Sequence, residues 1–206
     1  MTHLIDHPLI SHELTRLRNP DCPSHEFRQR VRRIASLMVP SVTSDLECRV
    51  VECTTPLELT SGTETLRPVV LVPILRAGLG FLDGFLDLMP EAAVAHLGMA
   101  RNEKTLQPEA YYLKHPAKMA GAELILLDPM LATGGSAAQS VTTLKEAGAK
   151  RIRFVSLLAA PEGIATLEEA HPDVPIYTAA IDRCLNEKGY ILPGLGDAGD
   201  RLFGTF

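Results

Sequence analysis

The stretch Leu124-Ile-Leu-Leu-Asp-Pro-Met-Leu-Ala-Thr-Gly-Gly-Ser136 decides the fold class of this chain. Four apolar residues that end on one carboxylate, Asp128, suit a strand buried on both faces of a parallel sheet. A short turn follows, and a helical pattern starts at once. Strand, acid, turn and helix start together describe the ligand-binding edge of an open α/β sheet, outside the carboxyl ends of its strands. Thr133, Gly134, Gly135 and Ser136 supply hydroxyls and unobstructed backbone N–H groups at a helix N-terminus, which suits a phosphate. The plain alternative for this segment is an ordinary strand-to-helix turn with Gly-Gly for flexibility. A Walker loop requires G-x-x-x-x-G-K-[ST], and no such run occurs, so a nucleotide triphosphatase is disfavoured.

Working outward, apolar and β-branched runs predict strands at Val69–Leu75, Ala93–Leu97, Leu124–Leu127, Ile152–Ala159 and Ile176–Ile181. Helical patterns lie between several of them, at Phe81–Met89, Ser136–Ala147 and Glu162–Ala170. Gly148 is placed to end the middle helix, and Pro90 and Pro172 to stop the other two. This alternation implies βαβ units around an open, mostly parallel twisted sheet flanked by helices. A single domain over residues 1–206 is expected, with extensions at both ends. At the N-terminal side, Ser24 can cap an amphipathic helix whose Phe27, Val31, Ile34 and Met38 share a face. Arg28, Arg30, Arg32 and Arg33 take its other faces, to be read as a solvated face or subunit contact before nucleic acid. Arg49–Thr60 alternates weakly and suggests an exposed β-arm suited to a dimer contact.

Composition narrows the function classes. A formal charge of −5 gives no electrostatic reason to expect nucleic acid as the main partner. No apolar run approaches the ~18 residues of a membrane span, and no signal peptide is expected. Cys22, Cys48, Cys53 and Cys184 lack C-x-x-C spacing and read as reduced thiols of a cytoplasmic protein. His3, His7 and His12 are close in sequence, but nothing supplies the remaining ligands of a metal site, and no protein-held metal is expected.

Three further segments bear on chemistry. Val72-Pro-Ile-Leu-Arg-Ala-Gly-Leu-Gly80 puts a cation, Arg76, and open backbone at another strand end. Arg101-Asn-Glu-Lys-Thr-Leu-Gln-Pro-Glu-Ala-Tyr-Tyr-Leu-Lys-His-Pro116 is polar and too long for a tight turn, as lids and binding loops are. The third runs from Asp182 to Phe206, where Gly194, Gly196 and Gly199 spell G-x-G-x-x-G. Too little chain follows for the βαβ units of a dinucleotide fold, so these glycines instead let backbone approach a flat ligand.

Taken together these motifs resemble the phosphoribosyltransferases, and among them the uracil-specific family. Asp128 followed by Pro129, rather than by a second acid, is similar to that branch and unlike the purine enzymes. The resemblance covers the chain from about Arg49 onward and implies uracil and phosphoribosyl pyrophosphate as substrates, UMP and pyrophosphate as products. It places the run Asp128, Pro129, Met130, Leu131, Ala132, Thr133, Gly134, Gly135 and Ser136 at the donor, with Asp128 on the ribose hydroxyls and the Thr-Gly-Gly-Ser loop on the 5′-phosphate. Arg76 and Arg101 would meet the pyrophosphate. Ile191, Gly196, Asp197 and Ala198 would bind uracil as a C-terminal base-binding hood, with Asp197 also approaching the donor. Magnesium is implied only as an ion carried with the donor. A cis non-proline peptide is expected in the arginine loop, at Arg76–Ala77. A homodimer or larger homo-oligomer is implied. Control by a nucleotide such as GTP occurs in some members, and this sequence leaves it open. His115 stands where the family commonly has leucine, and no role is assigned to it. Two competing readings are kept: a phosphoribosyltransferase for another base, and an RNA-binding regulator of pyrimidine genes on the same fold.

Overall fold

The computed structural model describes residues 1–101, 108–114 and 119–205. A short strand, β1 (Thr2–Leu4), precedes helices α1 (Pro8–Leu17) and α2 (Ser24–Val42). A hairpin follows, β2 (Cys48–Thr54) with β3 (Leu59–Thr65), and then β4 (Val69–Leu75) and α3 (Leu79–Leu86). Next come β5 (Ala93–Val94), β6 (His96–Arg101), β7 (Pro108–Lys114), β8 (Glu123–Leu127) and β9 (Met130–Leu131). Helix α4 (Gly135–Glu146), β10 (Arg151–Ala159), α5 (Pro161–Ala170) and β11 (Ile176–Ile181) complete the alternation. The chain closes with β12 (Cys184–Leu185), β13 (Ile191–Leu192) and α6 (Ala198–Phe203).

The main sheet runs β1-β11-β10-β8-β4-β6-β7, with every neighbouring pair parallel except β6–β7. Its central strands are apolar on both faces because helices cover both. Successive side chains of β8 show the division. Leu124 and Leu126 pack toward α4 and α5, while Ile125 and Leu127 pack toward α1, α2 and α3. Helix α2 contributes the predicted face, with Phe27, Val31, Ile34 and Met38 all fully buried. Each such side chain is worth roughly 1.5–3 kcal/mol in area removed from water. After β4 the chain moves toward β6, whereas after β8 it moves toward β10. The loops leaving β4 and β8 therefore diverge and open a crevice at their carboxyl ends, the topological switch point of the sheet.

Several boundaries differ from the sequence reading. Strand Ala93–Leu97 is split into β5 and β6, and β6 continues to Arg101 because β7 returns antiparallel beside it. Ser24 is the first helical residue of α2 and not its cap. Pro23 holds the cap position in extended conformation, and no side chain caps the helix. The weakly alternating arm is a hairpin of two seven-residue strands that pair only with each other. Strand β1 and helix α1 escape periodicity: β1 has three residues and is defined by its partner β11. The cis non-proline peptide is Leu75–Arg76, one bond before the expected position.

The basic residues of α2 pair within the molecule, while Arg28, Arg32 and Arg33 stay exposed. Arg30 pairs with Glu13 and Glu26, Arg32 with Asp87, and Arg33 with Glu13, while Arg28 donates to the Leu202 carbonyl. The N-terminal histidines are likewise dispersed, His7 accepting from Leu9 N–H and His3 stacking on Tyr177. The C-terminal segment is locked to the N-terminal helices by Arg201. Its guanidinium is buried, donates to the carbonyls of Leu17 (2.7 Å), Leu195 (2.8 Å) and Asn19 (2.6 Å), and lies 4.5 Å from the Phe27 ring centroid. Arg201→Ala would strand three carbonyls and should lower unfolding free energy by at least about 3 kcal/mol. Arg201→Lys should fall between, since a single ammonium cannot reproduce the planar fork. Urea unfolding of the three proteins tests this, and a loss below about 1 kcal/mol for the alanine variant would show the clamp to be dispensable.

Candidate active site

Three segments meet at the crevice and enclose a cavity of about 220 Å³. The loop after β8 contributes Asp128, Met130 and Ala132, and the loop after β4 contributes Ala77. The hood closes the cavity with Gly189, Tyr190 and Ile191 from the β12–β13 turn, and with Gly196 to Gly199 at the start of α6. This volume lies below the ~300–1,000 Å³ of pockets for drug-sized ligands and suits one small planar ring.

Asp128 sits half-buried just beyond β8, and the N–H of Met130 donates to its carboxylate at 3.3 Å. Burial pushes its pKa up to about 7, and that single backbone donor only partly offsets the lost hydration. Pro129 and Leu131 are buried, which fixes the loop, while the Thr133 and Ser136 side chains are exposed at its outer rim. Leu131 pairs through β9 with β10, so the loop is pinned to the sheet edge. Gly134 has φ of +82° and caps α4, and Gly135 begins the helix. A Cβ at Gly134 would stand 2.6 Å from the Gly163 carbonyl oxygen. Glycine there is thus required by backbone conformation and by packing on α5, as well as by any approach to phosphate.

The hood is held in place by charge. Asp182 accepts both guanidinium N–H groups of Arg18 at 2.7 Å and the Gly194 N–H at 2.8 Å, while Arg18 also donates to the Gly194 carbonyl at 2.8 Å. Burial alone would raise the Asp182 pKa, but Arg18 and the Gly194 N–H hold it below the usual carboxylate range. Gly194 and Gly196 take φ of +60° and +80°, bending the chain toward the cavity as the glycine-rich spelling implied. The Asp197 side chain accepts the Asp200 N–H at 2.9 Å and caps α6. Ile191 and Ala198 are buried, and Gly196 and Asp197 are exposed.

Arg76 lies exposed at the end of β4, with its guanidinium 3.6 Å from Asp200 and 5.6 Å from the Phe203 ring centroid. Asp200 also accepts the Thr205 hydroxyl at 2.7 Å. Asp200 was not singled out from sequence. Its signal is the second acid of Asp197-Ala-Gly-Asp200, an acid in the first turn of a short helix beside an arginine loop. The side chain of Arg101 and residues 102–107 and 115–118, including His115, lie outside the described residues, so the lid reading is not addressed. Of the sequence-selected residues, Asp128, Met130, Ala132, Ile191, Gly196, Asp197 and Ala198 line the cavity, whereas Arg76, Pro129, Leu131 and Thr133 to Ser136 are not among its lining residues.

A family model described as uracil phosphoribosyltransferase matches residues 4–205. The chain belongs to the uracil phosphoribosyltransferase family. It is 54% identical over 204 residues to the uracil phosphoribosyltransferase of Acidovorax sp. (strain JS42), covering 98% of each chain. It is 55% identical over 203 residues to that of Ligilactobacillus salivarius (strain UCC118), covering 98% of this chain and 97% of the relative. A solved protein from Aquifex aeolicus superposes with a TM-score of 0.93 at 36% identity, covering 100% of this chain and 99% of that one. A hypoxanthine phosphoribosyltransferase from Staphylococcus aureus, at 13% identity and a TM-score of 0.53 over 77% of this chain and 76% of its own, shares the fold alone. Membership extends to the N-terminal forty residues, which motif reading had left out. Their weight is structural, since α1 and α2 carry the groups that clamp the hood.

The raised pKa of Asp128 sets a pH dependence. Between pH 4 and about 7 the folded chain holds a proton on Asp128 that the unfolded chain has lost, so stability falls as pH rises through this window. Asp128→Asn should therefore melt higher than the unsubstituted protein at pH 8 and lose this advantage at pH 4. Melting curves at both values check the sign, and an equal difference at the two would refute it.

Proposed function

We propose that this chain is a uracil phosphoribosyltransferase that converts uracil and phosphoribosyl pyrophosphate to UMP and pyrophosphate as one domain. One observation carries the reading: donor-loop and hood residues remote in sequence, Asp128 with Ile191, Gly196, Asp197 and Ala198, line the same small cavity at the switch point. The family relatives named above support the choice of base.

In the proposed reaction the bond between ribose C1 and the pyrophosphate oxygen breaks, and uracil N1 bonds to C1 as its proton leaves. Positive charge grows on the ribose and negative charge on the departing oxygens, much as in glycoside cleavage. Thr133 to Ser136 hold the 5′-phosphate against the N-terminus of α4, and Asp128 accepts from the ribose hydroxyls. These hydroxyls supply the hydrogen bonds that the half-buried carboxylate lacks, so donor binding favours its ionised form. Arg76 and Arg101 neutralise the departing pyrophosphate. Asp197 sits at the base–ribose junction. The donor enters as its magnesium complex, whose ion offsets phosphate charge. Such an ion would be coordinated mainly by diphosphate oxygens and needs few protein ligands. Closure of the hood keeps water from the donor.

Uracil recognition falls to main-chain groups of Ile191, Gly196, Asp197 and Ala198, fixed donors and acceptors that distinguish uracil from cytosine at position 4 and the adjacent ring nitrogen. The exposed hairpin Cys48–Thr65 supports a homodimer or larger homo-oligomer, and four unpaired cysteines suit the reducing cytoplasm. Among the described residues no helix is long and apolar enough to cross a membrane. The pairing of Arg30, Arg32 and Arg33 with Glu13, Glu26 and Asp87 offsets the charge on which the RNA-binding reading rests.

Pyrophosphate release measured with each base in turn should show turnover with uracil and a rejection of cytosine by roughly 10⁴-fold or more. Cytosine turnover near that of uracil would refute main-chain readout, and turnover of hypoxanthine alone would refute the choice of base. Arg76→Ala should reduce kcat/KM by an amount equivalent to about 2–4 kcal/mol, with uracil affinity little changed. An unchanged kcat/KM would remove Arg76 from the leaving group.

A further inference from the structure

We infer that Glu162 is a positioning residue for the base site, tying the hood to the phosphate loop through the first turn of α5. The inference rests on the phosphoribosyl-transfer reading above and deepens it. Glu162 lies in an exposed first turn, where an acid is ordinarily explained by the helix dipole alone. Here its carboxylate has a remote partner, the Leu185 N–H at 3.0 Å. That N–H, ahead of the residue's own backbone N–H, holds the Glu162 carboxyl below the usual range.

Both ends of this link reach the cavity. On one side, Gly163 packs backbone to backbone on the phosphate loop. A Cβ there would stand 2.3 Å from the Ala132 carbonyl oxygen and 2.7 Å from that of Leu131. Gly134 meets the Gly163 carbonyl equally closely. The first turn of α5 therefore cannot shift without moving the loop assigned to the 5′-phosphate. On the other side, Leu185 is the direct partner of Ile191 in the β12–β13 ladder. A displacement at Leu185 is passed to a base-site residue across one strand pair.

The hood has need of such a tie. Strands β12 and β13 have two residues each and form a separate two-stranded sheet, and so small a ladder is marginal unless something external holds it. Arg18 and Asp182 fix its base near Gly194, and the side facing the donor is fixed by Glu162. The β12–β13 turn also lies beside the phosphate loop, since a Cβ added at Gly189 would stand 3.6 Å from the Thr133 methyl. The two substrate sites thus share a strut.

The test uses the full chain with Glu162→Ala, Glu162→Asp and Glu162→Gln. Losing a charge-assisted hydrogen bond should raise the uracil KM about tenfold or more in the alanine variant. The aspartate variant, one methylene shorter, should approach that value, and glutamine, which keeps an acceptor oxygen, should largely restore the parent value. Donor affinity by calorimetry and the melting temperature should stay near those of the parent. Hydrogen exchange at the Leu185 amide should quicken in the alanine variant and stay slow with glutamine, a readout independent of catalysis. A uracil KM unchanged in both shortened variants would overturn the inference, as would equal losses of uracil and donor affinity. A parent protein that makes no UMP while Leu185 exchange follows the expected order would instead overturn the phosphoribosyl-transfer reading.

Discussion

The hood depends on one buried cation that has no carboxylate partner among the described residues. Arg201 is satisfied by three backbone carbonyls, two of them from the N-terminal segment, and by the face of Phe27. Burial lowers its pKa, so the charge is held there at a cost in hydration and is balanced by oriented dipoles. Carbonyls can do this only if the backbone is held still. Arg201 thus joins the end of α1, the Asn19 turn and the Leu195 loop into one body, and the Arg18–Asp182 pair repeats the tactic at Gly194. The main-chain readout of uracil proposed above would require that rigidity, because fixed donors and acceptors discriminate only when the loop cannot re-form around the wrong ring.

The donor side is arranged differently. Its loop is held by a two-residue strand, by the helix that follows, and by backbone contact with α5. The exposed Thr133 and Ser136 hydroxyls are left for a ligand, and Asp128 is left poorly solvated. A carboxyl with pKa near 7 and one backbone donor is an unfavourable feature of the free fold. Such features persist where a ligand completes them, and the ribose hydroxyls are the groups assigned here to do so.

Much of the layout was legible because the determining patterns are local. The strand that ends on Asp128, the turn with Gly134 and the start of α4 lie within thirteen consecutive residues and obey strand and helix periods directly. Strands Val69–Leu75 and Ile176–Ile181 fall where apolar runs put them. What escaped the reading is set by distant partners. Strand β1 exists because β11 lies beside it, and β6 extends because β7 returns along it. The arginines of α2 read as a basic face, and only the fold brings Glu13 and Asp87 to them. Asp200 and Glu162 were not singled out, since nothing local announces Arg76 or Leu185 as their partners.

The same distinction explains where specificity can reside. Phosphate asks only for a helix start, glycine and hydroxyls, a demand that one contiguous segment can meet. A pyrimidine ring asks for several directional groups around its rim, and the proposed base site would draw them from the β12–β13 turn and the start of α6, which line the cavity. These pieces have little core of their own. They are positioned by Arg18 on the N-terminal side, by Arg201 beneath, and by α5 on the side of the donor. The sheet supplies the crevice, and in the proposed reading the clamps on the hood would set which base can use it.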